Sequence, residues 1–366
     1  MKKDKKLPAT LWKNSQPNTA LRAISLFSGA GGMDVGFESA GFKIDLACEL
    51  NKVAAQTFRT NFDTPLHNGD IRDLIPTMPT SGIDAIFGGP PCQGYSVAGK
   101  LNADDPRSQL VFSFLEAVAR VRPKVFVMEN VDALAKLSKW RGTLEDIVTR
   151  AKEIGYAVHV EIVNAADYNV PQTRKRVLIW GSRDLDQETL SMKVGELLAS
   201  LKRPHIAVRE VIERFGPAGS DANPLTARAI ITYTKNPVLR GSAYSGMLFN
   251  GRGRQLDPSK PSLTIAAAAG GNHTHIIDED QVFCDQPSFV EEYLDEIREK
   301  GHPRTGRAPD RLRRLTIKES MAIQTFPDNF QFSGKPTAIY RQIGNAVPCE
   351  LAKVAAIIAV SICCTK

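Results

Sequence analysis

The residues of this chain best placed for chemistry occur together in Gly88-Gly89-Pro90-Pro91-Cys92-Gln93-Gly94-Tyr95-Ser96. Two prolines stiffen the backbone just before a thiol, and a glycine frees it just after. A nucleophile needs that setting: held in place, exposed, and beside a segment that can move. The stretch that follows, to Arg107, is polar and rich in Gly and Asp, as a lid would be. Further along, Glu129-Asn130-Val131 ends a short apolar run, which can turn a carboxylic acid toward the same cleft. Then Pro171-Gln172-Thr173-Arg174-Lys175-Arg176 leads into another apolar run, with arginines at alternate positions and therefore on one side of an extended chain. One of them could hold a carbonyl oxygen and stabilise negative charge developing there.

A thiol and a carboxylic acid facing one cleft suit a particular reaction. Carbon 5 of a pyrimidine does not attack a methyl donor unaided. Thiolate addition at carbon 6, with proton donation to ring nitrogen 3, makes an enamine that is nucleophilic at carbon 5. Each piece also has an ordinary reading: a core cysteine, a salt-bridged glutamate, a solvated basic turn. Their coincidence points to chemistry. The other cysteines, Cys48, Cys284, Cys349, Cys363 and Cys364, form no C-x-x-C pair, and no His/Cys cluster has zinc spacing. The expectation is no metal, no disulfide framework, and small buried hydrophobes.

The elements that must position these groups follow from periodicity. Ala23 to Phe27 is a short apolar run, Ser28-Gly29-Ala30-Gly31-Gly32 a glycine-rich turn, and a helical pattern continues to Ala40. Strands are expected over Lys43–Glu49, Ile83–Phe87, Val125–Met128, Ala157–Val163 and Val177–Trp180, with helices over Val53–Asn61, 108–121 and Thr143–Ile154. Such alternation predicts an α/β fold, a doubly wound, mostly parallel sheet covered on both faces. Ligands then bind at the carboxyl ends of strands where the strand order reverses. The glycine turn would let backbone approach a ligand, Glu49 stands where an acid would bond a ribose, and Asp70, in Asn68-Gly69-Asp70-Ile71, could accept from an exocyclic amine. The glycines match the dinucleotide fingerprint only approximately, which speaks against hydride transfer.

After residue 184 the rhythm stops, and a second, smaller and irregular domain is expected. Helices return at Thr316–Thr325 and Glu350–Ile362. The reading gives a lysine-rich tail over 1–20, a first part of the main domain over 21–184, the irregular domain over 185–325, and a return to the main domain over 326–366. The net charge is +7, unevenly spread: residues 201–275 carry ten Lys and Arg against four acids, 278–299 nine acids against one Arg, and 301–314 five Arg against one Asp. That alternation suits a protein with one face toward a polyanion. The longest apolar run, Val354–Ile362, is too short to span a bilayer, and the start lacks a secretory core, so a cytoplasmic protein is expected.

With these residues in place, the chain closely resembles the cytosine-5 DNA methyltransferase family. The resemblance is carried, in family order, by LFSGAGGMDVGFESAGF (Leu26 to Phe42), NGDI (Asn68 to Ile71), GGPPCQGYS (Gly88 to Ser96), MENV (Met128 to Val131), YNVPQTRKRVLIWGSR (Tyr168 to Arg183), RLTIKESMAIQTFPDNF (Arg314 to Phe330) and YRQIGNAVP (Tyr340 to Pro348). It implies an S-adenosylmethionine-dependent methyltransferase sheet of Rossmann-like type, with a target-recognition domain in the irregular region. Cys92 would attack carbon 6 of a cytosine flipped from the duplex. Glu129 would hold ring nitrogen 3, and Arg176, with Arg174 nearby, would meet the base carbonyl and the strand. S-adenosylmethionine would lie among Phe27, Gly29, Ala30, Gly31, Gly32, Glu49, Leu50, Asp70, Ile71, Pro90 and Asn345. Ser96 and Arg107 would close on the DNA backbone; Gln172, Arg252, Arg254, Thr264 and Asn272 would face DNA, with Thr264 in a Thr-Leu-type element at Pro261–Ile265. Tyr95 stands where the family usually has Phe, and Leu50 where several members carry Trp. The resemblance further implies double-stranded DNA as partner, a monomer, and a bacterial or phage modification enzyme with a possible separate endonuclease. A transfer-RNA enzyme on the same scaffold and a non-catalytic DNA binder are the alternatives.

Overall fold

A computed structural model describes residues 21–91 and 109–365, so Cys92, Ser96 and Arg107 lie outside the described residues. In chain order the first half runs β1 (Leu21–Leu26), α1 (Gly32–Ser39), β2 (Phe42–Cys48), α2 (Lys52–Asn61), β3 (Leu66–His67), α3 (Ile71–Leu74), β4 (Ala85–Gly88), α4 (Leu110–Val121), β5 (Val125–Val131), α5 (Ala133–Lys136), α6 (Arg141–Glu153), β6 (Ala157–Asn164), β7 (Lys175–Ser182) and α7 (Gln187–Leu201). The sheet order is β3-β2-β1-β4-β5-β7-β6. Its central strands are mostly apolar because helices cover both faces. Phe37, Phe42, Phe87 and Trp180 fill one side, and Phe114, Phe126, Trp140 and Tyr156 the other.

Two features of this sheet position the site. The strand order reverses between β1 and β4, whose carboxyl ends lie side by side, Leu26 opposite Gly88. Secondly, β7 runs antiparallel to both its neighbours, while the other pairings are parallel. An apolar run reads the same in either direction, so periodicity could not foresee this. The reversal turns the start of β7 toward the end of β5.

The second half runs α8 (Val208–Ile212), β8 (Tyr233–Val238), β9 (Met247–Phe249), β10 (Ile276–Asp278), α9 (Glu279–Phe283), α10 (Phe289–Lys300), β11 (Leu312–Arg314), α11 (Ile317–Ile323), α12 (Pro336–Asn345) and α13 (Cys349–Cys363). Its first expected residues, from 185, are not irregular: α7 sends Leu190, Val194 and Leu198 into the core of the sheet. Nor is the acidic stretch. Ser288 caps α10, accepting from the Glu291 amide at 3.4 Å, and Phe289, Val290, Tyr293, Leu294 and Ile297 recur at helical spacing beneath its acids. With Ile231, Leu248, Phe249, Ile276 and Leu312 they make a separate small core. Acid–arginine pairs gird it: Arg311 Nε lies 2.6 Å from Asp278, and Arg313 reaches Glu279 at 2.6 Å and Glu319 at 2.7 Å.

The chain closes with α13 packed against α1. A methyl group on Gly36 of α1 would come within 2.5 Å of the Ala352 Cβ, so these helices approach at backbone distance. The stretch Pro336–Cys363 is long and apolar enough to cross a membrane by length and composition, contrary to the shorter run expected above. It is broken at Ala346–Pro348, and 67% of its most apolar part is buried inside the fold, where it serves as core.

Candidate active site

Glu129 is the fifth residue of β5 and Arg176 the second of β7. The antiparallel register sets Leu178 opposite Glu129 and Val131 opposite Arg176. The two side chains are therefore diagonal neighbours on one face, and Arg176 Nε lies 2.8 Å from Glu129 Oε1, each side chain only 12% exposed. The loop leaving β4 runs over this pair. A methyl group on Gly89 would come 3.0 Å from Glu129 Oε2, so the carboxylate sits against bare backbone. Asn130 Nδ2 donates to the buried Pro90 carbonyl at 3.2 Å, and Asn130 Oδ1 accepts from the Val131 amide at 2.9 Å, which fixes the loop to the end of β5. Pro91 is the last described residue before Cys92.

Beside it, at the end of β1, Phe27 takes a left-handed φ of 55°, a conformation costly for a bulky residue and held by its surroundings. Gly29 follows with φ 58°, and a side chain built on it would meet nothing within 4 Å. That open space lies over backbone at the switch point of the sheet. The Gly29 amide donates to Glu49 Oε2 at 2.8 Å and the Asn51 amide to Glu49 Oε1 at 2.6 Å, so the acid after β2 is locked to the turn. Burial pushes the Glu49 carboxyl above its ordinary value. Asp70 caps α3 through the Arg72 amide, and Arg72 Nη2 grips its Oδ2 at 2.6 Å; the guanidinium holds the carboxyl down at about 2. Ile71 is buried, and Leu50 is 66% exposed at the rim. Ala30 and Gly31 are buried, and Gly32 owes its glycine to packing: a methyl group there would come 2.6 Å from the Val347 carbonyl. Asn345 ends α12 two residues before that contact and is exposed. An open space over bare backbone, flanked by two fixed acids and an exposed apolar side chain, fits a nucleoside joined to an amino acid.

The description C-5 cytosine-specific DNA methylase matches residues 21–359. This chain belongs to that family. The methyltransferase is 33% identical over 343 residues to the Type II methyltransferase M.FnuDI of Fusobacterium nucleatum, covering 92% of this chain and 93% of the relative. It is 33% identical to M.NgoPII of Neisseria gonorrhoeae, covering 93% and 96%. Among solved structures, the Dnmt2 methyltransferase of S. pombe superposes with TM-score 0.64 at 17% identity, over 93% of this chain and 98% of that one. A putative DNA modification methyltransferase from an E. coli prophage gives 0.61 at 21%, over 94% and 99%. Both share the fold. The enzyme transfers a methyl group from S-adenosylmethionine to carbon 5 of cytosine in DNA.

The methyltransferase departs from the sequence reading at two residues. Arg174 does not stand beside Arg176. It is buried, donating from Nη1 to the Ile265 carbonyl and from Nη2 to the Gly344 carbonyl, both at 2.9 Å. Gln172 is fully buried rather than turned toward DNA: its Nε2 donates to Gln324 Oε1 at 2.8 Å and its Oε1 accepts the Ile265 amide at 2.9 Å. Alternation holds only once a strand is regular, and β7 begins at Lys175, after both residues. They form instead a buried polar joint between the sheet, the 262–266 segment and α12, completed by Gln324 Nε2 donating to the Ile343 carbonyl. Thr264 is exposed on this segment, its hydroxyl donating to the Thr173 carbonyl at 2.7 Å. Arg252 and Asn272 are also exposed and lie together, the Arg252 amide donating to the Asn272 carbonyl at 3.2 Å; Arg254 is half-buried nearby. One buried acid escaped sequence reasoning. Asp34, third residue of α1, is wholly buried with no cation paired to it among the described residues, and burial pushes its carboxyl up to about 8. Its signal was a lone acid in the apolar run Met33-Asp34-Val35-Gly36-Phe37.

Proposed function

We propose that Cys92, three residues beyond Gly89, adds its thiolate to carbon 6 of a cytosine flipped out of a short DNA target. The observation that carries this reading is the nearly buried Glu129–Arg176 pair directly under the Gly89–Pro91 loop. Glu129 holds the proton that ring nitrogen 3 takes up; as the thiolate lone pair forms the sulfur–carbon-6 bond, the π pair of the carbon-5–carbon-6 double bond is released into an enamine that is nucleophilic at carbon 5. Arg176 orients that carboxyl and offers its remaining N–H groups to the base carbonyl. S-adenosylmethionine, when bound, supplies an electrophilic methyl group. Phe27, the Gly29–Gly32 turn, Glu49, Leu50, Asp70, Ile71, Pro90 and Asn345 would surround it: Glu49 accepts from the ribose, Asp70 from the adenine amine, and the open face of Gly29 admits the amino-acid portion. Loss of the carbon-5 proton and cleavage of the sulfur–carbon bond then restore the ring and free Cys92. Ser96 and Arg107 belong to the segment closing on DNA.

Recognition falls to the region after α7 as far as β11, with Arg252, Arg254, Thr264 and Asn272 on its surface. In this reading the methyltransferase acts as a monomer in the bacterial cytoplasm and belongs to a restriction–modification pair whose endonuclease acts separately, a reading supported by its Type II relatives. The test is incubation with labelled S-adenosylmethionine and unmethylated genomic DNA, then bisulfite-type sequencing. Label in 5-methylcytosine at one repeated short motif is expected; label in transfer RNA alone would overturn the reading.

A further inference from the structure

Arginines crowd the chain around the small core, and their charges are matched. Arg311 pairs with Asp278, Arg313 with Glu279 and Glu319, Arg304 with Glu296, and Arg307 with Asp310. Arg314 differs. It is 1% exposed, and no carboxylate among the described residues pairs with it. Its Nη1 donates to the Thr274 carbonyl at 2.7 Å, and its Nη2 to the Asn250 carbonyl and Oδ1, each at 3.1 Å; Nε has no partner among the described residues. Burial pushes the group down to about 10, which leaves it charged at neutral pH. An uncompensated buried charge is costly, so its retention calls for a use.

The carbonyls it holds belong to two loops, 250–254 and 272–275, that touch through their backbones. The amides of Arg252 and Gly253 both donate to the Asn272 carbonyl at 3.2 Å. A methyl group on Gly253 would fall 1.8 Å from the Thr274 carbonyl and 2.8 Å from Arg314 Nη1, so only glycine admits this approach. Arg252 and Arg254, on the same loop, make no ion pair among the described residues. His275 beside them is held below the ordinary histidine range by its burial and by the charges of Arg254 and Arg314. The cluster thus carries positive charge and no acid.

We propose that Arg314 is a positioning residue for DNA reading, clamping loops 250–254 and 272–275 into one unit and backing them with a buried positive charge that the duplex phosphates neutralise. The proposal rests on the assignment of these loops to the DNA surface. Because Arg314 is covered, it acts through its field across a low-dielectric path, which salt screens less than it screens exposed charges. Arg252 and Arg254 meet the strand itself.

The experiment is binding of full-length enzyme to two labelled duplexes, one with the target found by sequencing and one without, over a series of salt concentrations. The variants are R314M, R314K and R307M, with melting temperatures read alongside. R314M should bind about tenfold more weakly and lose about one unit of the slope of log affinity against log salt. R307M removes the same net charge, but one already matched by Asp310, and should keep the slope. R314K keeps the charge and the slope, yet a point-like ammonium cannot hold both loops, so discrimination between the duplexes should fall about tenfold. A folded R314M with wild-type slope overturns the proposal, and so does R314K with wild-type discrimination. Should wild type itself bind the duplexes equally, the assignment of the loops fails first, and this proposal with it.

Discussion

The two faces of the sheet are closed by Phe37, Phe87 and Trp180 on one side and Phe114, Phe126 and Trp140 on the other. Around α10, by contrast, a dozen apolar residues are ringed by Arg311–Asp278, Arg313–Glu279 and Arg313–Glu319. The first region is held mainly by non-directional burial, which sets few demands on any single pair. The second is held by directional charge pairs, whose geometry fixes loops where apolar area is scarce. On the proposed assignment, the chemistry sits on the sheet and the reading of DNA on the half held by charge pairs.

The sharpest way to separate the halves is Cys92→Ser. Methyl transfer should fall by at least about a thousandfold while DNA affinity stays near wild type, since the thiolate serves bond formation and little of the contact surface. Full turnover in a label-transfer assay would break both the mechanism and the division of labour. Glu129→Gln should slow turnover by about a hundredfold for want of a proton donor. DNA affinity measured on the same samples should hold.

On the other half, Glu319→Gln leaves Arg313 with Glu279 alone and removes a buried charge partner, at a cost of about 3 kcal/mol. Thermal melting should show it, with weakened DNA binding in the surviving protein. A loss no larger than that of an exposed pair would mean that charge does not hold this region together. For Asp34 the sign follows from its values. An unfolded aspartate ionises near 3.8 while the folded one stays protonated until about 8, so wild-type stability declines as pH rises between these values. Asp34→Asn lacks that decline, and its melting temperature should gain on wild type steadily from pH 5 to pH 8. A pH-independent difference would contradict the assignment. The smallest effect belongs to Arg307→Met, whose exposed pair with Asp310 is worth under about 1 kcal/mol.

What could be read in the sequence tracks the same division. The strands over 43–49, 83–87 and 125–128 were visible as short, mostly apolar runs, and Gly88–Ser96, Glu129 and Arg176 stood out beside such runs. Strand direction was not visible, so the pairing of Glu129 with Arg176 waited for the structure. Arg174 misled because alternation was applied to a residue that precedes β7, and Gln172 because the resemblance alone assigned it to the DNA surface. Helix α10 was masked by its own acids, although Ser288 and the spacing of Phe289, Tyr293 and Ile297 marked it. Arg314 opens one of the family segments, but its role carried no signal, since its partners are backbone carbonyls of loops distant in sequence.

The packing of α13 on α1 also sets a timetable for the nascent chain. The ribosome makes α1 first and α13 only after all the elements between them, yet Ala352 must reach Gly36 before that face of the sheet is dry. Until then Phe37, Phe87 and Trp180 are open to other chains, and the growing polypeptide passes through a long interval of aggregation risk. Synthesis rate and chaperone supply should therefore govern the yield of active enzyme more strongly than its final stability does.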